Sequence, residues 1–277
     1  MSQSTSRPFE LFLLVLLALF WGSSYLWAKV ALEVVPPFTL IAFRVGIAAV
    51  LLTAWVVVRK IPLPTDMHTW WLLLIQAFMN SFGAWCLLAW GLQFVDSSLA
   101  TVLNSMSPLF VFFITLFITR HEIVNARKFA GAVLGLLGVI LIVGTDALNG
   151  LGQQVVAQLA ILTGSLLYAG AAIFGKRFAA ITPVATATAT MLISTVIVVP
   201  LCLIVEQPWD IQPQLKHIGS VLMLSVFGTV GALVLYFRLV NTLGSMGVAS
   251  QGFLRIGVGV LLGTFVLKSC LIAGKGD

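Results

Sequence analysis

Charge is the first thing this chain is short of. Only 9% of its 277 residues are Asp, Glu, Lys or Arg, against roughly 25% in a soluble domain, and that deficit excludes water as the main solvent. Cysteine is scarce too: Cys86, Cys202 and Cys270 lie far apart, in neither a disulfide framework nor a zinc-ligand spacing, and read as small apolar residues. The histidines, His68, His121 and His217, have no supporting motif around them. With no phosphate loop, metal-ligand cluster or nucleophile beside a base, no catalytic, cofactor-binding or metal-binding residue is assigned, and neither enzymatic activity nor a cofactor is expected. Carboxylates are missing from the middle of every apolar run; Glu10, Glu33, Glu122 and Glu206 all fall at run ends. A proton-coupled pump needs an acid within the membrane, so the pattern favours a facilitator or exchanger.

What is abundant is apolar sequence. Sixty per cent of the chain is hydrophobic, in runs of about twenty residues that recur from Leu11 almost to the end, each long enough to cross a bilayer as a helix. The alternating ten-residue segments of a membrane β-barrel do not occur. Hydropathy and breakers place nine helices near 10–32, 37–58, 69–94, 98–119, 127–145, 156–178, 184–205, 217–241 and 246–267. The first run exceeds the length of a signal-peptide core and reads as a retained helix. The net charge of +6 does not point to nucleic acid, because the basic residues sit between spans and not on one face. With the N-terminus inside, Arg7, Arg59, Lys60, Arg120, Arg127, Lys128, Lys176, Arg177 and Arg238 all fall on the inner side, against Lys216, Lys268 and Lys275 outside. The positive-inside rule therefore predicts a cytoplasmic N-terminus in an inner (plasma) membrane.

The two halves echo one another. Trp21-Gly22-Ser23-Ser24-Tyr25-Leu26-Trp27-Ala28-Lys29 is answered 147 positions later by Tyr168-Ala169-Gly170-Ala171-Ala172-Ile173-Phe174-Gly175-Lys176. Gly83-Ala84 is matched by Gly231-Ala232, and Ala100-Thr101 by Ala249-Ser250, at offsets of 148 and 149. The near-constant offset is what identifies a repeat. A five-helix repeat crosses the membrane an odd number of times, so the second copy enters from the opposite side, the plan of many secondary transporters with a solute site near the midplane.

Those motifs carry a family resemblance. Phe20-Trp21-Gly22-Ser23-Ser24 with Lys29, Arg44, the stretch Ala100 to Pro108 with Glu122 downstream, the glycine-rich Gly131 to Gly144 helix, and Gly247-Val248-Ala249-Ser250 together resemble the EamA-type members of the drug/metabolite transporter superfamily. The resemblance covers residues 10 to about 266 and implies an all-α integral membrane fold. It also implies ten helices in two inverted five-helix bundles, cytoplasmic termini, and export or exchange of amino acids and other small metabolites. The expected repeats are 10–145 and 156–267. An offset of 149 would put a tenth helix near 274–294, beyond residue 277, and Lys268-Ser269-Cys270-Leu271 replaces the family's Leu-Gly-Glu closing pattern. The second repeat is therefore expected to lack its last helix, leaving 268–277 as an atypical tail.

Candidate solute-binding residues follow from depth and spacing. Arg255, at mid-helix with Gln251 one turn away, cannot reach either headgroup region and is expected to line the cavity. Lys29 and Arg44 lie within two turns of the outer surface, where snorkelling and cavity lining are equally open readings. Gln76 with Asn80, and Thr101 with Asn104 near Pro108, form polar stripes that serve either the solute or interhelical hydrogen bonding. Trp21 and Tyr168 occupy corresponding places in the repeats and would bracket a cavity, with Ser24 one turn from Trp21. Trp70, Trp71 and Trp209 read as interfacial belt residues. Gly131, Gly135, Gly138, Gly259 and Gly263 suit close helix packing, including a homodimer through glycine-rich helices. The expected partners are a small-molecule solute and the lipid bilayer. Two other functions remain in view: a membrane-embedded enzyme, which would need clustered His, Asp or Glu near one interface, and a non-transporting assembly protein, suggested by the absent tenth helix.

Overall fold

The computed structural model describes residues 7–95, 97–119, 126–143, 154–255 and 257–258, and these are helices joined by short turns, with no strand among the described residues. Helix α1 is Arg7–Ala31 and α2 is Pro37–Arg59. The Pro36-Pro37 pair starts α2, since proline is preorganised for a first turn, and Lys60 ends it in the left-handed region at φ 51°. Helix α3, Met67–Ala77, begins at Asp66, whose carboxylate accepts from the Thr69 amide at 2.7 Å. A π-turn, Phe78–Phe82, joins α3 to α4, Gly83–Gly91.

The next crossing is split into α5, Ser97–Asn104, and α6, Ser107–Ile114, because Pro108 supplies no amide proton to the preceding turn. Helices α7, Ala126–Val143, α8, Val155–Phe174, and α9, Pro183–Val205, follow. A 3-10 turn, Gly175–Phe178, extends α8. A π-turn, Thr115–Thr119, also follows α6, and helix α10, Leu215–Ser225, passes through a third, Val226–Gly231, into α11, Ala232–Ala249. Gly244, at φ 79° and ψ 175°, breaks α11 in a conformation that costs glycine alone little, so Leu215–Leu243 and the segment beyond it are separate helices. With that division the segments correspond in order to the nine placed from hydropathy. Among the described residues seven helical stretches are long and apolar enough to span a membrane, while α7 carries a shorter apolar stretch. The tail 268–277, with Gly259, Gly263, His121 and Glu122, lies outside the described residues.

Packing joins the halves. Helix α2 lies along α9, α1 packs on α10 and α11, and α8 packs on α4. The face of α9 is built of small residues, and Thr188, Thr190 and Ser194 return their hydroxyls to carbonyls of their own helix at 2.7–3.0 Å, so a tight, polar-looking interface carries no unmet hydroxyl there. Leu17, Val45, Leu52, Met191, Leu233 and Leu239 are fully buried in one core drawn from both halves. Outside, Leu141 and Ile204 are 81% and 75% exposed, as an apolar solvent requires. Of the α7 glycines only Gly135 is packed, where a Cβ would strike the Phe253 ring. Gly131 and Gly138 meet no described atom within 4 Å.

Both ends of α1 are tied to the α10–α11 pair. Glu10, buried in the first turn, accepts from Arg238 at 2.8 Å and from the Thr242 hydroxyl at 2.9 Å. Glu33, just past the other end, accepts from Lys216 at 2.6 Å and lies 3.4 Å from His217. These contacts define a Glu10 end and a Glu33 end of the bundle.

Candidate functional site

The Trp21-Gly22-Ser23-Ser24 motif is where the halves meet, and each residue has its own task. The Trp21 indole donates to the Gly228 carbonyl at 3.1 Å. Gly22 lets the segment around Arg255 pass against α1, since a Cβ there would stand 2.7 Å from the Arg255 carbonyl oxygen and 2.8 Å from Val258. Ser23 and Ser24 both bond back to the Phe20 carbonyl, at 3.1 and 2.7 Å, satisfying their hydroxyls within the helix. Gly228 in turn has no side chain to collide with Ser24.

The Val226–Gly231 π-turn explains why Gly228 is available. Widening the helix by one residue leaves carbonyls off the regular ladder. Here the freed Gly228 oxygen accepts from Arg44 Nη2 at 2.9 Å as well as from Trp21, and the Thr229 hydroxyl accepts from Arg44 Nε at 2.6 Å. The Arg44 guanidinium carbon also sits 3.6 Å from the centre of the Trp85 ring, within cation–π range. Arg44 is 8% exposed, so it does not snorkel. Its side chain turns inward because the bundle offers oxygens and an aromatic face that the outer surface of the helix does not. Lys29, by contrast, is exposed.

Around Arg44 opens a cavity of about 80 Å³ that is continuous with the outside. Trp21, Tyr168, Trp85 and the two guanidinium side chains Arg44 and Arg255 form its deep part, and Leu32, Leu40 and Leu92 form its mouth at the Glu33 end. Neither Asp nor Glu is among the described lining residues. Two cations, three aromatic rings and an apolar mouth suit a small amphipathic anion: the guanidiniums match a carboxylate in plane and charge, and the rings cover an organic body.

Four of the nine sequence-derived candidates, Trp21, Ser24, Tyr168 and Arg255, line this cavity. Asn104 does not; it is buried and its Oδ1 accepts from Ser165 of α8 at 3.1 Å. Gln76 and Asn80 are buried toward the Glu10 end, Gln76 donating to the Ala171 carbonyl at 3.3 Å. Gln251 is buried with an unpartnered Oε1. The Thr101 side chain lies outside the described residues. Trp85 and Gly228 were missed. A tryptophan in an apolar run and a glycine without a motif carry no local signal, although Gly228 lies 148 positions after Asn80 in the same offset that aligns the repeats.

The fold and cavity define a multi-pass helical membrane protein with a cavity between its halves, as in the class of membrane transporters. The sequence profile of the EamA-like transporter family matches residues 8–144 and 155–271, and the chain belongs to that family. An uncharacterized inner membrane transporter of Escherichia coli, YedA, is 26% identical over 250 residues, covering 90% of this chain and 79% of that one. An uncharacterized transporter of Bacillus subtilis, YoaV, is 29% identical over 163 residues, 59% of this chain and 56% of its own length, so that match spans little more than half of the relative. A solved crystal structure superposes with a TM-score of 0.75 at 20% identity, covering 94% of this chain and 88% of the other, which is a likeness of fold.

Proposed function

We propose that this transporter is a facilitator or exchanger that carries small carboxylate-bearing organic solutes, amino acids and related metabolites, by alternating access. The observation that carries the reading is the cavity between the halves, where Arg44 and Arg255 share the lining with Trp21, Trp85 and Tyr168. The two repeats are inverted, the N-terminus is cytoplasmic by the positive-inside rule, and the cavity therefore faces the outside in this conformation. Physiological flow is export, driven by the solute gradient. No described carboxylate lies in the middle of a span, so transport persists when the proton gradient is collapsed and the solute gradient is held.

The test is flux in proteoliposomes with labelled amino acids set against the amines that lack the carboxylate. Amino acids cross and amines do not. Arg255→Met abolishes flux while the protein still inserts and accumulates, and Arg255→Lys retains partial flux with weakened recognition, because the ammonium keeps the charge and loses the planar fork. Normal flux in Arg255→Met, or equal flux of amine and acid, would overturn this reading.

A further inference from the structure

Two of the three described π-turns stand at one repeat offset from each other: Phe78–Phe82, the first of the pair, plus 148 falls on the start of Val226–Gly231, the second. The Gly83-Ala84 and Gly231-Ala232 pairs close them, and a Cβ on Gly83 would collide with the Phe78 carbonyl. Their surroundings are alike as well. Helix α1 packs on the second π-turn and α8 on the first, with Tyr168 of α8 lying 147 positions after Trp21 of α1.

Their occupancy differs. At the second turn Gly228 and Thr229 receive Trp21 and Arg44. At the first turn the corresponding residues are Asn80 and Ser81, and the position matching Arg44 is Leu192. Both side-chain atoms of Asn80, the Ser81 hydroxyl and Gln76 Oε1 are buried without a hydrogen-bond partner, and the Tyr236 hydroxyl faces Gln76 without closing a bond. Asn80 is 1% exposed, Ser81 and Gln76 0%. Burying such an atom without a partner is unfavourable, and apolar side chains of the same shape would avoid the cost. Trp21, which lines the cavity, packs on Tyr236 with ring centres 5.5 Å apart.

We infer that Gln76, Asn80 and Ser81 form a second, hydrogen-bonding solute site, closed in this conformation and hydrated when the bundle opens at the Glu10 end. It rests on the alternating-access reading above. Its chemistry is distinct from that of the open cavity. Amide and hydroxyl groups without a guanidinium receive the neutral or cationic hydrogen-bond donors of a solute, ammonium or hydroxyl groups, along with water.

Cysteine accessibility tests it. In a background with Cys86, Cys202 and Cys270 replaced by serine, Ser81→Cys and Ala28→Cys are exposed to a membrane-impermeant trimethylammonium methanethiosulfonate from each side of sealed vesicles. Ala28 lines the open cavity. Ala28→Cys reacts from the Glu33 end, and Ser81→Cys reacts at least about tenfold faster from the Glu10 end than from the other. Asn80→Cys and Gln76→Cys put the same question should Ser81→Cys fail to accumulate. A second readout is Asn80→Leu, which raises the KM of amino-acid flux measured from the Glu10 side by roughly two- to tenfold and leaves the KM from the Glu33 side unchanged. Silence of the first-turn cysteines from both ends, with Ala28→Cys reacting, overturns the second site and leaves the cavity reading standing. Reaction of Ser81→Cys from the Glu33 end also overturns it. Silence of Ala28→Cys from both ends overturns the cavity reading and this inference with it.

Discussion

Glu206, the residue that ends α9, holds the first turn of α2: its carboxylate accepts from the Phe38 and Thr39 amides at 2.9 and 2.7 Å and from the Thr39 hydroxyl at 2.7 Å. The two helices are repeat mates, and this cap joins them where Pro36-Pro37 supplies no capping side chain. A negative charge at a helix N-terminus also meets the positive end of the dipole. Glu206→Ala removes all three bonds, and we expect a loss of about 1–3 kcal/mol, read as a lower unfolding midpoint in detergent, with Thr39→Val losing less. An unchanged midpoint in Glu206→Ala would show the cap to be idle.

Arg44 is predicted to combine structure with recognition. Arg44→Lys cannot reach Thr229 and Gly228 at once and gives up much of its contact with Trp85, so the KM for a carboxylate solute rises by about tenfold, near 1.4 kcal/mol. Trp85→Leu keeps the guanidinium hydrogen bonds and produces a smaller rise. Proteoliposome kinetics on the two variants check this; a KM in Arg44→Lys equal to the parent's would place the solute elsewhere.

The tie at Glu33 gives a pH dependence. Hydrogen bonds from Lys216, then from His217, hold the Glu33 carboxyl below its ordinary 4.5, and burial opposes them more weakly. A lowered acid pKa adds stability that is complete above the ordinary value and is lost as pH falls through the folded value. The difference in unfolding midpoint between the parent and Glu33→Gln is therefore small but present at neutral pH, and vanishes below pH 4.5 as the carboxyl takes up its proton. A difference that grows on acidification would contradict the assignment. Because the pair is exposed, salt also reduces it.

Two glycines should respond oppositely to one methyl group. Gly22→Ala sets a Cβ against the Arg255 carbonyl and Val258, with backbone on one side that cannot step aside, so it should cut both transport and accumulation severalfold. Gly131→Ala meets nothing within 4 Å and should be neutral or stabilising by up to about 1 kcal/mol, the helix-propensity difference. Measured expression and flux decide it, and a tolerated Gly22→Ala would remove the close approach from the site.

The helices were legible in the sequence because the bilayer reads length and hydropathy directly, and because Pro36-Pro37 acts on its own neighbours. Trp21 and Tyr168 were legible because they hold corresponding places in the repeat, and Arg255 because a cation at mid-span is conspicuous in apolar sequence. Arg44 was half legible: its depth was plain, its direction was not, since that hangs on a carbonyl freed 184 positions away.

Sequence by itself determined that this is a helical membrane protein of two related halves, since an apolar run of that length has few other stable forms and a constant offset survives without any contact being known. Only the tertiary structure decided which polar residues face a cavity, which bond to another helix and which are shut away unpartnered. Arg44 over Trp85, Asn104 against Ser165 and Asn80 without a partner all look alike in sequence. A polar side chain in a membrane takes its role from the neighbouring helix, and that neighbour is set by packing between distant segments and not by the residues on either side of it.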